Sequence, residues 1–266
     1  MPGMTITTPG VYSVTSDITV SAGTSGIVVA PGVHGVRILL YSRIVSAGTT
    51  ASAASISAGI ECNGSTDINI IGMGGSIRDF AYGVRADNCH RLAVDNVAIE
   101  NAWFRGIAAS GLKPRITNNR IDRVGGCTAY ANAFGMGVEW QSSATYPRGE
   151  ALIQGNTIDD VFGMGTGEGC FISLSDYAGG SVVKGNVCRG DTLLPNTFAV
   201  WCGNNATVMP ESDAPVLTDN EFVNMRFALG VSSTARAFVD RNTYRNCQDR
   251  MWQPNPLVEF GPTDSL

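Results

Sequence analysis

"NTID", residues 156–159, restates "NRID", residues 119–122, and the same frame of asparagine, any residue, hydrophobic residue, polar residue returns as "NVCR" at Asn186, "NEFV" at Asn220 and "NTYR" at Asn242. Weaker members are "NVAIE" at Asn96 and "GSIR" at Gly75. The steps between these anchors are 21, 23, 37, 30, 34 and 22 residues. A second frame alternates with the first: a small residue followed by a short strand. It reads "GIVVA" at Gly26, "GIECN" at Gly59, "GVRAD" at Gly83, "GIAAS" at Gly106, "GVEWQ" at Gly137, "CFISL" at Cys170, "AVWCG" at Ala199 and "ALGVS" at Ala228. A unit of about 22 residues with two or three short strands cannot bury its own apolar side, and stacking such units is the way to make a core. The predicted fold is therefore all-β: a single-stranded, right-handed parallel β-helix of roughly eight or more rungs. Stacked rungs set like residues in columns about 4.8 Å apart. The anchor asparagines would form an internal ladder at a turn, where Asn tolerates left-handed backbone.

Composition agrees with a turn-rich solenoid and narrows the function. Gly is 32 of 266 residues, about twice the usual share. The net charge of −5 argues against nonspecific nucleic-acid binding, which needs a basic surface. No apolar run is long enough to insert in a membrane. The opening "MPGMTITTPGVYS" has neither the charged start nor the apolar core of a signal peptide; a secreted chain with its signal already removed would read the same. The seven cysteines are odd in number and form no CxxC pair, so they read as small buried hydrophobes made in a reducing compartment. Two histidines, His34 and His90, are out of ligand spacing, and no metal site is predicted.

The two frames resemble the right-handed parallel β-helix proteins of the pectate-lyase-like superfamily from about Thr5 to Cys247. The resemblance divides the chain into a cap or entry rung (1–25), the helix proper (26–247) and a C-terminal cap or tail (248–266), where prolines end strand pairing. It speaks for fold more than function, since this fold hosts lyases, hydrolases, epimerases and non-enzymatic spikes. Adjacent aspartates at Asp159 and Asp160 are similar to the polygalacturonase branch, but the Gly-His-Gly and Arg-Ile-Lys motifs of that branch are missing. No set of aspartates matches the calcium site of a pectate lyase. No cofactor is expected, except a divalent cation such as calcium if the chain is a lyase.

Three successive rungs are longer than the minimum, and their extra residues flank one face. "GGCTAYANAFGM", "FGMGTGEG" and "GDTLLPNT" precede the strand; "SSATYPRGE", "SDYAGG" and "GNNATVMPESDAP" follow it. Loops stacked in this way would wall a groove, the usual home of function on a rigid scaffold. Alternation turns Val138, Trp140, Ile172, Val200 and Cys202 inward. The outward column is then predicted as Glu61, Arg85, Ala108, Glu139, Phe171, Trp201, Gly230, with Glu61 and Arg85 as an ordinary surface ion pair.

Glu139 beside Phe171 and Trp201 suits a sugar ring, whose apolar face stacks on aromatics. Glu168, Asp176 and Asp160 are the candidate second carboxylates of a hydrolase, one needing a raised pKa to donate a proton. Tyr177, Tyr130, Tyr146 and Arg148 are candidate substrate contacts. A lyase would instead draw its base and carboxylate-neutralising groups from Tyr177, Tyr130 and Arg148. Asp159 reads as part of a solvated charge column with Arg78, Asp122, Arg189 and Arg245.

The reading leans to an enzyme: a carbohydrate-active β-helix protein, hydrolase or lyase, acting on a polysaccharide or oligosaccharide. Resemblance to phage tail-spike depolymerases implies a homotrimer and a virion location; a secreted or periplasmic location is the other option. The alternatives are a structural or glycan-binding β-helix without catalysis, and a small-molecule isomerase or lyase using the same groove.

Overall fold

The computed structural model describes residues 3–48, 56–128, 130–142, 148–175, 179–191, 197–203 and 208–264. The chain winds as a parallel β-helix. Every third strand pairs in parallel, giving three sheets of 10, 10 and 9 strands. The first sheet opens with Met4–Ile6, the second with Gly10–Val14 and the third with Ile18–Val20. A full coil is thus complete by Val20. The last strands, Asp249–Trp252 and Val258–Phe260, extend the first and second sheets, so both terminal segments contribute strands to the coil.

Each sheet sends one apolar column to the axis. In the third sheet Ile44, Ile77, Ile99, Ile121, Ile158, Cys188, Phe222 and Tyr244 stand in register. In the second the column runs Ile38, Ile70, Val94, Ile116, Ile153, Val183, Leu217 and Val239. In the first it is Val84, Ile107, Val138, Ile172, Val200 and Leu229. β-Branched residues suit such a pleated, half-buried surface. Val138, Trp140, Ile172, Val200 and Cys202 are fully buried, as alternation predicts. Six of the cysteines are buried, Cys247 is half-buried, and all seven are free thiols.

The asparagine ladder is present, with one adjustment. Asn119, Asn156, Asn186, Asn220 and Asn242 are buried between the second and third sheets. The Oδ1 of each accepts from a backbone N–H one coil earlier, at Val97, Asn119, Asn156, Asn186 and Asn220, at 2.9–3.0 Å. Each Nδ2 reaches back to a carbonyl of the second sheet and forward to the next ladder residue, ending on Asp264. The left-handed backbone is at the preceding residue: Asn118, Gly155, Gly185, Asp219 and Arg241 have φ of 56–67°. Asn96 is one of these turn residues, and Val97 holds the ladder position.

Candidate functional site

The outer face of the first sheet carries the site, and its strands break the simple alternation. In Gly135–Gln141, Met136 and Glu139 are only partly buried while Gly137 and Val138 between them are buried. Two successive inward residues recur at Gly83–Val84, Gly106–Ile107, Phe171–Ile172, Ala199–Val200 and Ala228–Leu229. The inner corner is tight: a Cβ on Gly83, Gly106 or Gly137 would lie 2.6, 2.4 or 2.6 Å from the carbonyl oxygen of the next coil.

This bend corrects the predicted column. Gly135 pairs with Gly169 and Glu139 with Ser173, so the equivalent of Gly137 is Phe171. Phe171 is fully buried in the main core and cannot contact a substrate. The outward column is Glu61, Arg85, Ala108, Glu139, Ser173, Trp201, Gly230, Trp252. Aligning "GMGVEW" with "GCFISL" on their first glycines gives this register directly. Glu61 and Arg85 are neighbours but do not pair. Arg85 binds Asp87 at 2.8 Å, while Glu61 accepts from Ser25 and Asn63 at 2.8 and 2.7 Å.

Trp201 leans over Gly230, where a Cβ would meet its ring at 2.4 Å. Its ring centroid lies 5.7 Å from Phe198, edge to face, and 5.7 Å from Trp252. Met136, Cys170, Phe198 and Phe227 complete an apolar patch outside the coil. Over it opens a cleft of about 270 Å³ lined by Phe134, Met136, Glu168, Cys170, Ser173, Ser175, Phe198 and Trp201. Its two serine hydroxyls share a hydrogen bond of 2.8 Å.

Glu168 is the carboxylate of this cleft among the described residues. Burial pushes its pKa up, and among the described residues no cation or hydrogen-bond donor holds it. Cys170 beside it is not a nucleophile: burial, then the charge of Glu168, drive its thiol upward, and the thiolate is the reactive form. Glu139 stands differently. Arg105, missed by sequence reasoning, donates to its Oε2 at 2.8 Å and also to the carbonyls of Phe104 and Phe134. This guanidinium lies 3.9 Å over the Phe104 ring and is nearly buried. The signal was the arginine just before the "GIAAS" glycine, which takes an outward position.

Glu139 and Glu168 do not stack. Glu168 lies across from Phe134, five positions before Glu139 on the neighbouring strand, an offset of roughly 16 Å along the backbone at about 3.3 Å per residue.

The remaining candidates separate. Asp160 faces the third sheet, in a shallow pocket with Asp159, Arg189, Asp191 and Asn224. It belongs to a column of left-handed turn residues with Asp79, Asn101, Arg123, Asn224 and Asn246, and burial raises its pKa. It shares no lining residue with the Glu168 cleft. Asp159 sits in the predicted charge column and binds Arg189 at 2.9 Å. Tyr130 is exposed and packs 5.8 Å from Phe104, outside the cleft lining. Arg148 pairs with Asp213 at 3.3 Å. Asp176, Tyr177 and Tyr146 lie outside the described residues. Among the described residues no group of three or more His, Cys, Asp or Glu is placed to hold a metal.

No protein-family model matches the chain, and a search of curated proteins also gives no match. Solved structures with a similar coil include an alginate lyase from Paenibacillus sp. FPU-7 (16% identity, 92% of this chain and 100% of that one, TM-score 0.40). Others are the A-module of a mannuronan C-5 epimerase from Azotobacter vinelandii (11%, 97% and 91%, 0.33) and the catalytic domain of an α-1,3-glucanase with bound nigerose (13%, 97% and 63%, 0.38). These are likenesses of coil to coil, and none assigns an activity to this chain.

Proposed function

We propose that this β-helix is a carbohydrate-active protein that holds a polysaccharide along the outer face of the first sheet and cleaves it in the cleft between Glu168 and Trp201. The observation that carries the reading is Glu168: a half-buried carboxyl with a raised pKa and no partner among the described residues, in an aromatic-lined cleft. A general acid needs a pKa lifted toward the working pH, and an aromatic ring is a natural platform for the apolar face of a sugar.

In this reading Glu168 protonates the leaving glycosidic oxygen. Glu139, oriented by Arg105, is the second carboxylate. The backbone offset of roughly 16 Å between the two glutamates does not suit the close pair of a retaining enzyme, so in this reading Glu139 activates a water, as in an inverting pair. The arginine clamp on Glu139 equally favours a second reading, in which the face binds glycan without cleaving it.

The test is a panel of capsular, exopolysaccharide, alginate, pectin and neutral glycan preparations. New reducing ends and the ultraviolet absorbance of unsaturated uronates are followed in parallel. Reducing ends without absorbance are expected, lost in Glu168→Gln and in Glu139→Gln while both variants keep the wild-type circular dichroism spectrum. Absorbance with the reducing ends would mean elimination. Full activity in Glu168→Gln would remove Glu168 from the chemistry, and binding without products would establish the second reading.

A further inference from the structure

The charge around the cleft says which glycans fit it. From Gly125 to Thr218, the stretch that contains all the expanded rungs, there are only three cationic residues, Arg148, Lys184 and Arg189, against nine acidic ones. All three cations are engaged elsewhere. Arg148 binds Asp213 at 3.3 Å. Lys184 points out from the second sheet near Asp219, at 3.9 Å. Arg189 lies on the third sheet against Asp159. The segments that fall outside the described residues in this stretch contain no Lys or Arg, and one of the nine acids, Asp176, lies in them. On the flanking coils, Arg105 is held by Glu139 and two carbonyls, and Arg226 lies 4.9 Å over the Phe227 ring, outside the cleft lining.

Among the described residues the cleft presents five apolar side chains, two serines that share one hydrogen bond, and Glu168. A carboxylate brought into it would meet Glu168 and no cation among the described residues that line it. Like charges in a partly desolvated site repel strongly and force one of them to take up a proton.

We infer that the cleft selects neutral sugar units with a broad apolar face, such as 6-deoxyhexose or N-acetylhexosamine residues, and rejects uronates. This rests on the polysaccharide reading above and sharpens its substrate. The Ser173 and Ser175 hydroxyls supply the polar contacts, Trp201 and Phe198 the stacking surface, and the negative site excludes acidic chains.

The test uses matched pairs: polygalacturonate, alginate and hyaluronan, each beside its carboxyl-reduced form, together with chitin oligosaccharides and a neutral rhamnan. Binding is read by affinity electrophoresis and by tryptophan fluorescence at pH 7 in low salt. At least one neutral glycan is expected to bind, and its acidic counterpart at least about tenfold more weakly. Trp201→Ala should abolish the binding, which places it in the cleft, and Ser175→Arg should narrow the gap by admitting the acidic form. Tighter binding of an acidic parent than of its reduced form overturns the neutral-sugar inference and leaves the polysaccharide reading standing. Failure of every glycan to bind overturns both.

Discussion

Asn186→Ala is the sharpest perturbation of the coil, because Asn186 sits mid-ladder with no solvent exposure. Its Oδ1 accepts from the backbone N–H and the Nδ2 of Asn156, at 3.0 and 2.9 Å. Its Nδ2 donates to the Ile153 carbonyl and to Asn220 Oδ1, both at 3.0 Å. Truncation strands two buried donors of Asn156. Each costs about 1–3 kcal/mol when left unsatisfied, so the loss should be about 4 kcal/mol, at the severe end for a point substitution. Two further variants isolate the cause. Asn186→Asp keeps the acceptor but sets an oxygen 3.0 Å from Asn220 Oδ1, so it should cost about as much as the alanine. Asp264→Asn acts at the last ladder position among the described residues. There Asp264 only accepts, at 3.2 Å from the Asn242 N–H and 2.8 Å from its Nδ2, and an amide oxygen does the same, so the change should stay within about 1 kcal/mol. Guanidinium unfolding ranks the three variants. Hydrogen exchange at the Asn156 amide reads the same loss locally, as expected where each coil contacts only its neighbours. A cost below about 1 kcal/mol for Asn186→Ala, or equal costs for Asn186→Asp and Asp264→Asn, would refute the view that the ladder is a chain of obligatory donors and acceptors.

Gly137→Ala puts a Cβ 2.6 Å from both the Phe171 carbonyl oxygen and Ile158 Cγ2; overpacking of this kind should cost about 1–3 kcal/mol and lower the thermal midpoint, and an unchanged midpoint would mean the corner relaxes freely. Glu168 makes stability depend on pH. Its folded pKa is raised from 4.5 by burial, so between 4.5 and that higher value the folded state holds more protons than the unfolded one. Stability therefore falls as pH rises through that window. Glu168→Gln should flatten this part of the profile in a series of melts, and an identical slope in both proteins would show that the carboxyl is not desolvated.

The coil was legible in the sequence because its determinants are local and repeated. The asparagine of each "NxID"-like frame has one job, which is to answer the same atoms one coil away, so the repeat alone exposes it. The isoleucine column of Ile99, Ile121 and Ile158 follows from the same frame. Asp159 could be set against Arg189 because both stand three residues after a ladder asparagine. The outer face of the first sheet was less legible because it breaks period two. Two inward residues in succession, at Gly137–Val138 and again at Phe171–Ile172, shift everything downstream by one position relative to an alignment on Cys170. That single shift buries Phe171 and brings Ser173, a residue without obvious chemistry, to the centre of the cleft floor. Arg105 was hidden for a related reason. It lies on an earlier coil, 34 residues before the glutamate it clamps, and only stacking makes them neighbours. Asp160 reads as a candidate acid because it follows an aspartate where the chain leaves the strand; its column of Asp79, Asn101, Arg123, Asn224 and Asn246 shares left-handed backbone, which Asp and Asn tolerate. In a solenoid, then, a residue's neighbours in the column decide whether it is scaffold. Glu168 stands apart by that criterion: its counterpart one coil earlier is the exposed Phe134, no ladder asks for a carboxylate there, and it carries a desolvated acid at the edge of the aromatic patch.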